Sequence, residues 1–170
     1  MVVLSSFLIA ALGMYAWLRF NGLMPLPAFV GAIAWACCGS LTFRIKHFNN
    51  IHVLAWLPFS MMCLQALWQK FNVLYAVGLI LIWCLQIFAG HPQMFFICVF
   101  ANAVFCLCLA ITAFKGEKTV IKQKYKQCFL YFGLFVGLLT ASLWLSAVQW
   151  LPTYELLKMS NRSGNLVKRR

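Results

Sequence analysis

Residues 71–114 contain no Asp, Glu, Lys or Arg. As one straight helix this run would reach roughly 66 Å at ~1.5 Å per residue, about twice a hydrocarbon core of ~30 Å. It must fold back on itself, and Gly90-His91-Pro92-Gln93 near its middle is the one place suited to the reversal. Glycine supplies unusual backbone angles, proline cannot continue the preceding helix, and the residue before proline is pushed towards extended geometry. The rest of the chain reads as membrane helices whose ends are arranged around this turn.

Composition agrees. Hydrophobic residues make up 64% of the chain and charged residues only 9%, against roughly 25% charged in a soluble domain, so there is too little polar surface to enclose a water-soluble core. The expected fold class is all-α: a polytopic membrane helix bundle of about six transmembrane helices. The net charge of +12 sits in loops beside apolar spans, which suits anionic lipid and topology rather than nucleic acid. Membrane lipid is thus the expected partner, with no nucleic acid. The 8 cysteines lie in or at the ends of apolar runs, without a CxxC pair or an adjacent histidine. They read as small buried hydrophobes rather than disulfides or metal ligands, and no metal or cofactor is evident.

The expected spans are Val2–Leu18, Ala28–Phe43, Ile51–Trp68 with a kink near Pro58, Val73–Ala89, Pro92–Phe114, and Cys128–Leu151 ending at Pro152. The first lacks the basic start of a signal peptide, and it opens abruptly at Met1, as if cut from a longer protein. Residues 1–152 then form the bundle, and 153–170 form an extracytoplasmic polar tail leading into a missing region. The loops after spans one, three and five share a side. They hold Arg19, Lys70 and five lysines, Lys115, Lys118, Lys122, Lys124 and Lys126. The positive-inside tendency makes that side cytoplasmic. RIKHFNN (Arg44–Asn50), the GHPQ turn and QWLPTYELLKMSNR then converge on the extracytoplasmic face.

Two readings of that face stand side by side. Helix N-termini favour anions, and His91, Arg44, Lys46 and Arg162, with Gln93 beside them, could hold the phosphate of a lipid head group. The bland alternative makes Asn50 a helix cap, Arg44 and Lys46 partners of a helix dipole, and GHPQ a tight turn. Glu155 is the one acid on that face, either a general base or surface decoration, and no carboxylate occurs within an apolar span. Gln65, Gln86, Asn102 and Gln149 are expected to hydrogen-bond between helices, where lipid offers no partner. Gly133, Gly137 and Ala141 form a small-residue face expected to pack, and Trp68 and Trp150 mark span ends.

Four passages carry a resemblance: YAWLRFNGL (Tyr15–Leu23), HFNNIHVLAWLPF (His47–Phe59), FAGHPQMFF (Phe88–Phe96) and AVQWLPTYELLKMSNRSG (Ala147–Gly164). Together the chain resembles the bacterial YfhO-like membrane proteins of the C-type glycosyltransferase superfamily, which take sugars from polyprenyl-phosphate carriers on the outer side of the membrane. The resemblance implies a multi-pass protein of the bacterial cytoplasmic membrane and a polyprenyl-phosphate sugar donor. It also implies transfer of that sugar to a cell-envelope polymer or lipid. The motif positions that match are Gly90, His91, Pro92 and Gln93, then Gln149, Pro152, Glu155, Ser160 and Arg162. Superfamily members place a catalytic acid in the first extracytoplasmic loop, and no such acidic loop occurs here. That acid would lie upstream of Met1, so the chain is expected as a fragment whose catalytic position is unknown. A lipid or polymer transporter and a non-catalytic membrane scaffold are the rival readings. The lack of buried acids counts against the first.

Overall fold

The computed structural model describes residues 2–42, 48–115 and 121–159. Their regular structure is helical throughout: α1 (Val2–Phe20), α2 (Pro25–Ala36), α3 (Gly39–Thr42), α4 (Phe48–Ala55), α5 (Leu57–Gln69), α6 (Val73–Phe88), α7 (Pro92–Lys115), α8 (Ile121–Leu145) and α9 (Ala147–Met159). The chain is an all-α bundle. Among the described residues 4 stretches are long and apolar enough to cross a membrane: Val3–Phe20, Asn49–Gln69, Pro92–Thr112 and Cys128–Leu145. α2 and α6 are apolar but shorter, at 12 and 16 residues.

Local chemistry sets the boundaries. The uncharged run reverses where expected: the Gly90 N–H donates to the Ile87 carbonyl at 3.0 Å, and Gly90 sits at φ +75. A side chain there would be strained. Pro92 then opens α7, where its missing N–H removes no helical bond. Asn72 starts α6, its Oδ1 accepting from the Leu74 N–H at 3.0 Å. The kink expected near Pro58 is a full break at Trp56, with Pro58 in the first turn of α5.

Two expected boundaries are corrected. The second span does not run from Ala28 to Phe43. Pro25 and Pro27 fall inside the first turn of α2, where proline is tolerated, and the helix closes at Ala36, with the Cys37 N–H bonded to the Ile33 carbonyl at 2.8 Å. Cys37, Cys38, Gly39 and Ser40 are all weak helix formers, and only the single turn of α3 follows. The sixth span does not end at Pro152, which lies inside α9. The break falls at Ser146 instead, and α9 continues through the proline at the loss of one backbone hydrogen bond.

The α4–α5 stretch is the axis of the bundle, packed against α1, α6 and α7. α1 approaches α5 so closely that a Cβ on Gly13 would lie 2.7 Å from the Phe59 ring. One apolar cluster gathers Ala10, Leu41, Ile51, Val53, Met94 and Cys98. A second gathers Leu64, Leu67, Leu79, Trp83 and Phe135. Polarity is turned inside out relative to a soluble protein. Ser6, Ser60, Gln86, Asn102 and Ser142 are buried, while Leu4, Leu8, Leu12, Phe96, Phe100, Phe129 and Trp144 are exposed. Such an outer surface fits lipid tails, and Ser6, Ser60, Gln86 and Asn102 each find a partner across helices.

Those partners divide the bundle into two ends. At one, Trp17 Nε1 donates to Gln65 Oε1 at 2.8 Å, Gln65 Nε2 donates to Asn21 Oδ1 at 2.7 Å, and the Tyr131 hydroxyl donates to the Trp68 carbonyl at 2.9 Å. Those contacts join the ends of α1 and α5 to the early part of α8. The α6–α7 turn, the start of α4, Ser6 of α1 and the α8–α9 junction meet at the other.

Candidate functional site

The turn end is assembled from four separate stretches of chain. Ser6 Oγ lies 2.8 Å from His52 Nδ1, tying α1 to α4. Gln86 Nε2 donates to the Val53 carbonyl at 2.9 Å, tying α6 to α4 just before the proline break. Gln149 Nε2 reaches the Phe88 carbonyl at 3.5 Å and lies 3.8 Å from the position of a Cβ on Gly90. α9 therefore begins against the GHPQ turn. All four amides expected to bond between helices do so: Gln65 to α1, Gln86 to α4, Asn102 to Ser60 of α5, and Gln149 to the end of α6.

His91 has a more defined role than a basic residue near a helix end. Its Nδ1 accepts the Met94 N–H at 3.3 Å, so it is the N-cap of α7. An imidazole that accepts through Nδ1 carries its proton on Nε2, which leaves Nε2–H as a donor for a ligand. A proton on Nδ1 would break the cap. Through that Nε2–H the ring can give a bound anion a hydrogen bond.

The N-terminus of α7 is also less open than expected. Pro92 has no N–H, Met94 is capped, and the Phe95 N–H donates to the His91 carbonyl at 3.1 Å. Gln93 supplies the first-turn N–H without a partner among the described residues, and its side chain is exposed. Glu155 is exposed on α9, six residues beyond Gln149. Arg44, Lys46 and Arg162 lie outside the described residues.

The sequence marks Asn50 as a helix cap and Gln86 as an interhelical bonder and passes over Ser146; Asn50 instead lies inside α4. Asn50 Oδ1, Gln86 Oε1 and Ser146 Oγ have no hydrogen-bond partner among the described residues, although their residues are only 4%, 0% and 0% exposed. The first two accept and the third both donates and accepts, a set that complements hydroxyl groups. Ser6 and His52 were missed as well. The available signal was their position: a histidine or serine inside an apolar run needs a partner.

Among the described residues no three His, Cys, Asp or Glu side chains gather as a metal site; the cysteines are free thiols, and only Cys63, Cys84 and Cys98 are buried as expected, while Cys37 and Cys108 are exposed on the outer, apolar surface of the bundle. The expected packing of Gly133 and Gly137 is overturned. A Cβ at either would meet nothing within 4 Å, because α8 turns Phe135 inwards instead, edge-on to Trp83 at 5.3 Å. No family model, curated protein or solved structure matches this chain. Its own geometry is what bears on function.

Proposed function

We propose that the chain is a multi-pass protein of the bacterial cytoplasmic membrane and that its turn end is the head-group vestibule of a YfhO-like, glycosyltransferase-like protein. The donor is a polyprenyl-phosphate-linked sugar and the acceptor a cell-envelope polymer or lipid. One observation carries the reading: among the described residues Asn50 Oδ1, Gln86 Oε1 and Ser146 Oγ, all on stretches that meet at the turn end, are buried without a hydrogen-bond partner, whereas Trp17, Gln65 and Asn21 bond to one another at the opposite end; Asn102 Nδ2 and the indole nitrogens of Trp35, Trp56 and Trp83 are unpartnered as well. Buried polar atoms without partners are rare and call for an explanation, of which a bound hydroxyl-bearing group is the one this reading supplies.

In this reading the lysine-rich end faces the cytoplasm and the turn end the outside. His91 Nε2–H and the Gln93 N–H donate to phosphate oxygens, and Arg44, Lys46 and Arg162, which precede α4 and follow α9 in the chain, supply the positive charge. Asn50, Gln86 and Ser146 suit sugar hydroxyls. An acceptor hydroxyl attacks the anomeric carbon, the bond from that carbon to the phosphate oxygen breaks, and the phosphate leaves with the electron pair. A carboxylate takes the hydroxyl proton, and Glu155 is the one acid of this chain near that face.

The test is sugar transfer in membranes carrying His91→Ala or Arg162→Ala. Both substitutions are expected to abolish transfer with insertion intact. Unchanged transfer in both overturns the vestibule. The scaffold reading draws on the outward, uncovered face at Gly133 and Gly137. It requires that changes there disrupt assembly while His91→Ala does not.

A further inference from the structure

Three further unpartnered atoms lie deeper in the bundle, and all three are donors. Trp56 Nε1, Trp83 Nε1 and Asn102 Nδ2 are buried with no hydrogen-bond partner among the described residues. Register brings them together. The α4–α5 stretch and α6 run in opposite directions, and the bond from Gln86 to the Val53 carbonyl aligns them. Trp56 follows Val53 by three residues and Trp83 precedes Gln86 by three, so the two indoles come level about one helical turn (~5 Å) below that bond. Trp56 packs against the apolar cluster that contains Trp83. Ser60 lies four residues after Trp56 on the same helical face, its N–H donating to the Trp56 carbonyl at 3.1 Å. Its hydroxyl holds Asn102 Oδ1, which sets Asn102 Nδ2 within about a turn of the indoles.

Three donors cannot satisfy one another. The break in the bundle axis adds an acceptor: Pro58 has no N–H, so the Leu54 carbonyl four residues before it loses its helical donor. In a bilayer core such freed backbone groups are met by neighbouring helices, hydroxyl side chains or ordered water. α5, α6 and residues 92–112 of α7 contain no Lys or Arg, so an anion accepting from these donors would stay uncompensated, at a large cost in an apolar interior. A water molecule is neutral, both accepts and donates, and typically makes ~3 hydrogen bonds with buried polar groups. We propose that the α4–α5 break binds buried water, shared by the Trp56 and Trp83 indole N–H groups with the Asn102 amide beside them, and donating to the Leu54 carbonyl. The site is separate from the proposed vestibule and does not depend on sugar transfer. It ties α5, α6 and α7 together where the axis is broken.

Nuclear magnetic resonance on the full chain in detergent micelles, with its tryptophans labelled with nitrogen-15, tests the site. Trp56→Phe and Trp83→Phe assign the two indole signals. Both indole N–H protons are expected to show rotating-frame cross-peaks to water of sign opposite to the diagonal, a sign that proton exchange does not give. Trp56→Phe should at least halve the water cross-peak of Trp83, and Trp83→Phe that of Trp56, because each removes one anchor of the shared water. Absence of the cross-peak at either indole in the folded, unaltered chain overturns the proposal. So do cross-peaks that each survive the other's substitution undiminished, which would mean separate contacts with water and no shared site. Where a phenylalanine variant does not fold, benzothienylalanine at position 56 or 83 removes the N–H and keeps the ring shape, and the same halving is required of it.

Discussion

Ser60→Ala tests how the middle of the bundle is locked. Ser60 on α5 and Asn102 on α7 are both fully buried, with Ser60 Oγ 2.7 Å from the Leu57 carbonyl and 3.1 Å from Asn102 Oδ1. Removing the hydroxyl deletes one interhelical hydrogen bond, worth about 0.6 kcal/mol on average and up to ~1.7 in a membrane protein. It also strands Asn102 Oδ1, on a side chain whose Nδ2 already lacks a partner among the described residues, and an orphaned buried polar group costs about 1–3 kcal/mol. Together these give a loss of about 2 kcal/mol. The orphan term vanishes if Asn102 is already leucine, because replacing both partners by apolar groups is nearly neutral. In the Asn102→Leu background, Ser60→Ala should therefore cost under ~0.5 kcal/mol, a coupling of about 1.5 kcal/mol. Equilibrium unfolding in mixed micelles, followed by tryptophan fluorescence across the four-variant cycle, measures it. Equal costs in the two backgrounds, within about 0.5 kcal/mol, would refute a lock between α5 and α7 at this pair.

Other outcomes follow from the same geometry. His91→Asn should keep the α7 cap, which His91→Ala loses at about 1 kcal/mol, yet both should lose sugar transfer; transfer retained by the asparagine variant would reduce His91 to a cap. Gly137→Leu should leave stability unchanged or raise it by up to ~1 kcal/mol through helix propensity, and a clear loss in unfolding would mean that the face is covered. In a background cleared of native thiols, a cysteine at position 91 should react with an impermeant reagent in intact cells and one at position 122 should not. The opposite pattern reverses the orientation and sinks the vestibule.

The turn at Gly90 and Pro92 was legible because an uncharged run longer than a membrane is thick admits few reversals. The four interhelical amides were legible for a related reason: an apolar surrounding offers Gln or Asn no partner except another helix. What stayed hidden depended on rotation about helix axes. Gly133 and Gly137 form the same small-residue stripe whether they face α6 or lipid, and only the inward placement of Phe135 decides it. Pro152 misled for a different reason. A proline marks the loss of one hydrogen bond, not the residue at which a helix stops, and the stop came at Ser146. That His91 caps α7 through Nδ1 depends on a ring orientation that no spacing rule contains.

The two ends of the bundle differ in a way that stability alone does not account for. At the lysine end, Trp17, Gln65 and Asn21 form a chain in which each donor has an acceptor. At the turn end, Asn50 Oδ1, Gln86 Oε1 and Ser146 Oγ are buried without partners among the described residues. At about 1–3 kcal/mol each, these atoms together represent a penalty of roughly 3–9 kcal/mol, the same order as the whole stability of a domain at ~5–15 kcal/mol. Leucine, methionine or alanine at these positions would remove the penalty, and the neighbouring residues show that this chain uses such side chains freely. Gln86 also does two things at once: its amide nitrogen braces α4 beside the Pro58 break, and its oxygen stays unsatisfied. A residue kept only for the brace could be a leucine with a repacked kink. A residue kept for both fits the proposed vestibule, in which a head-group hydroxyl would donate to that oxygen.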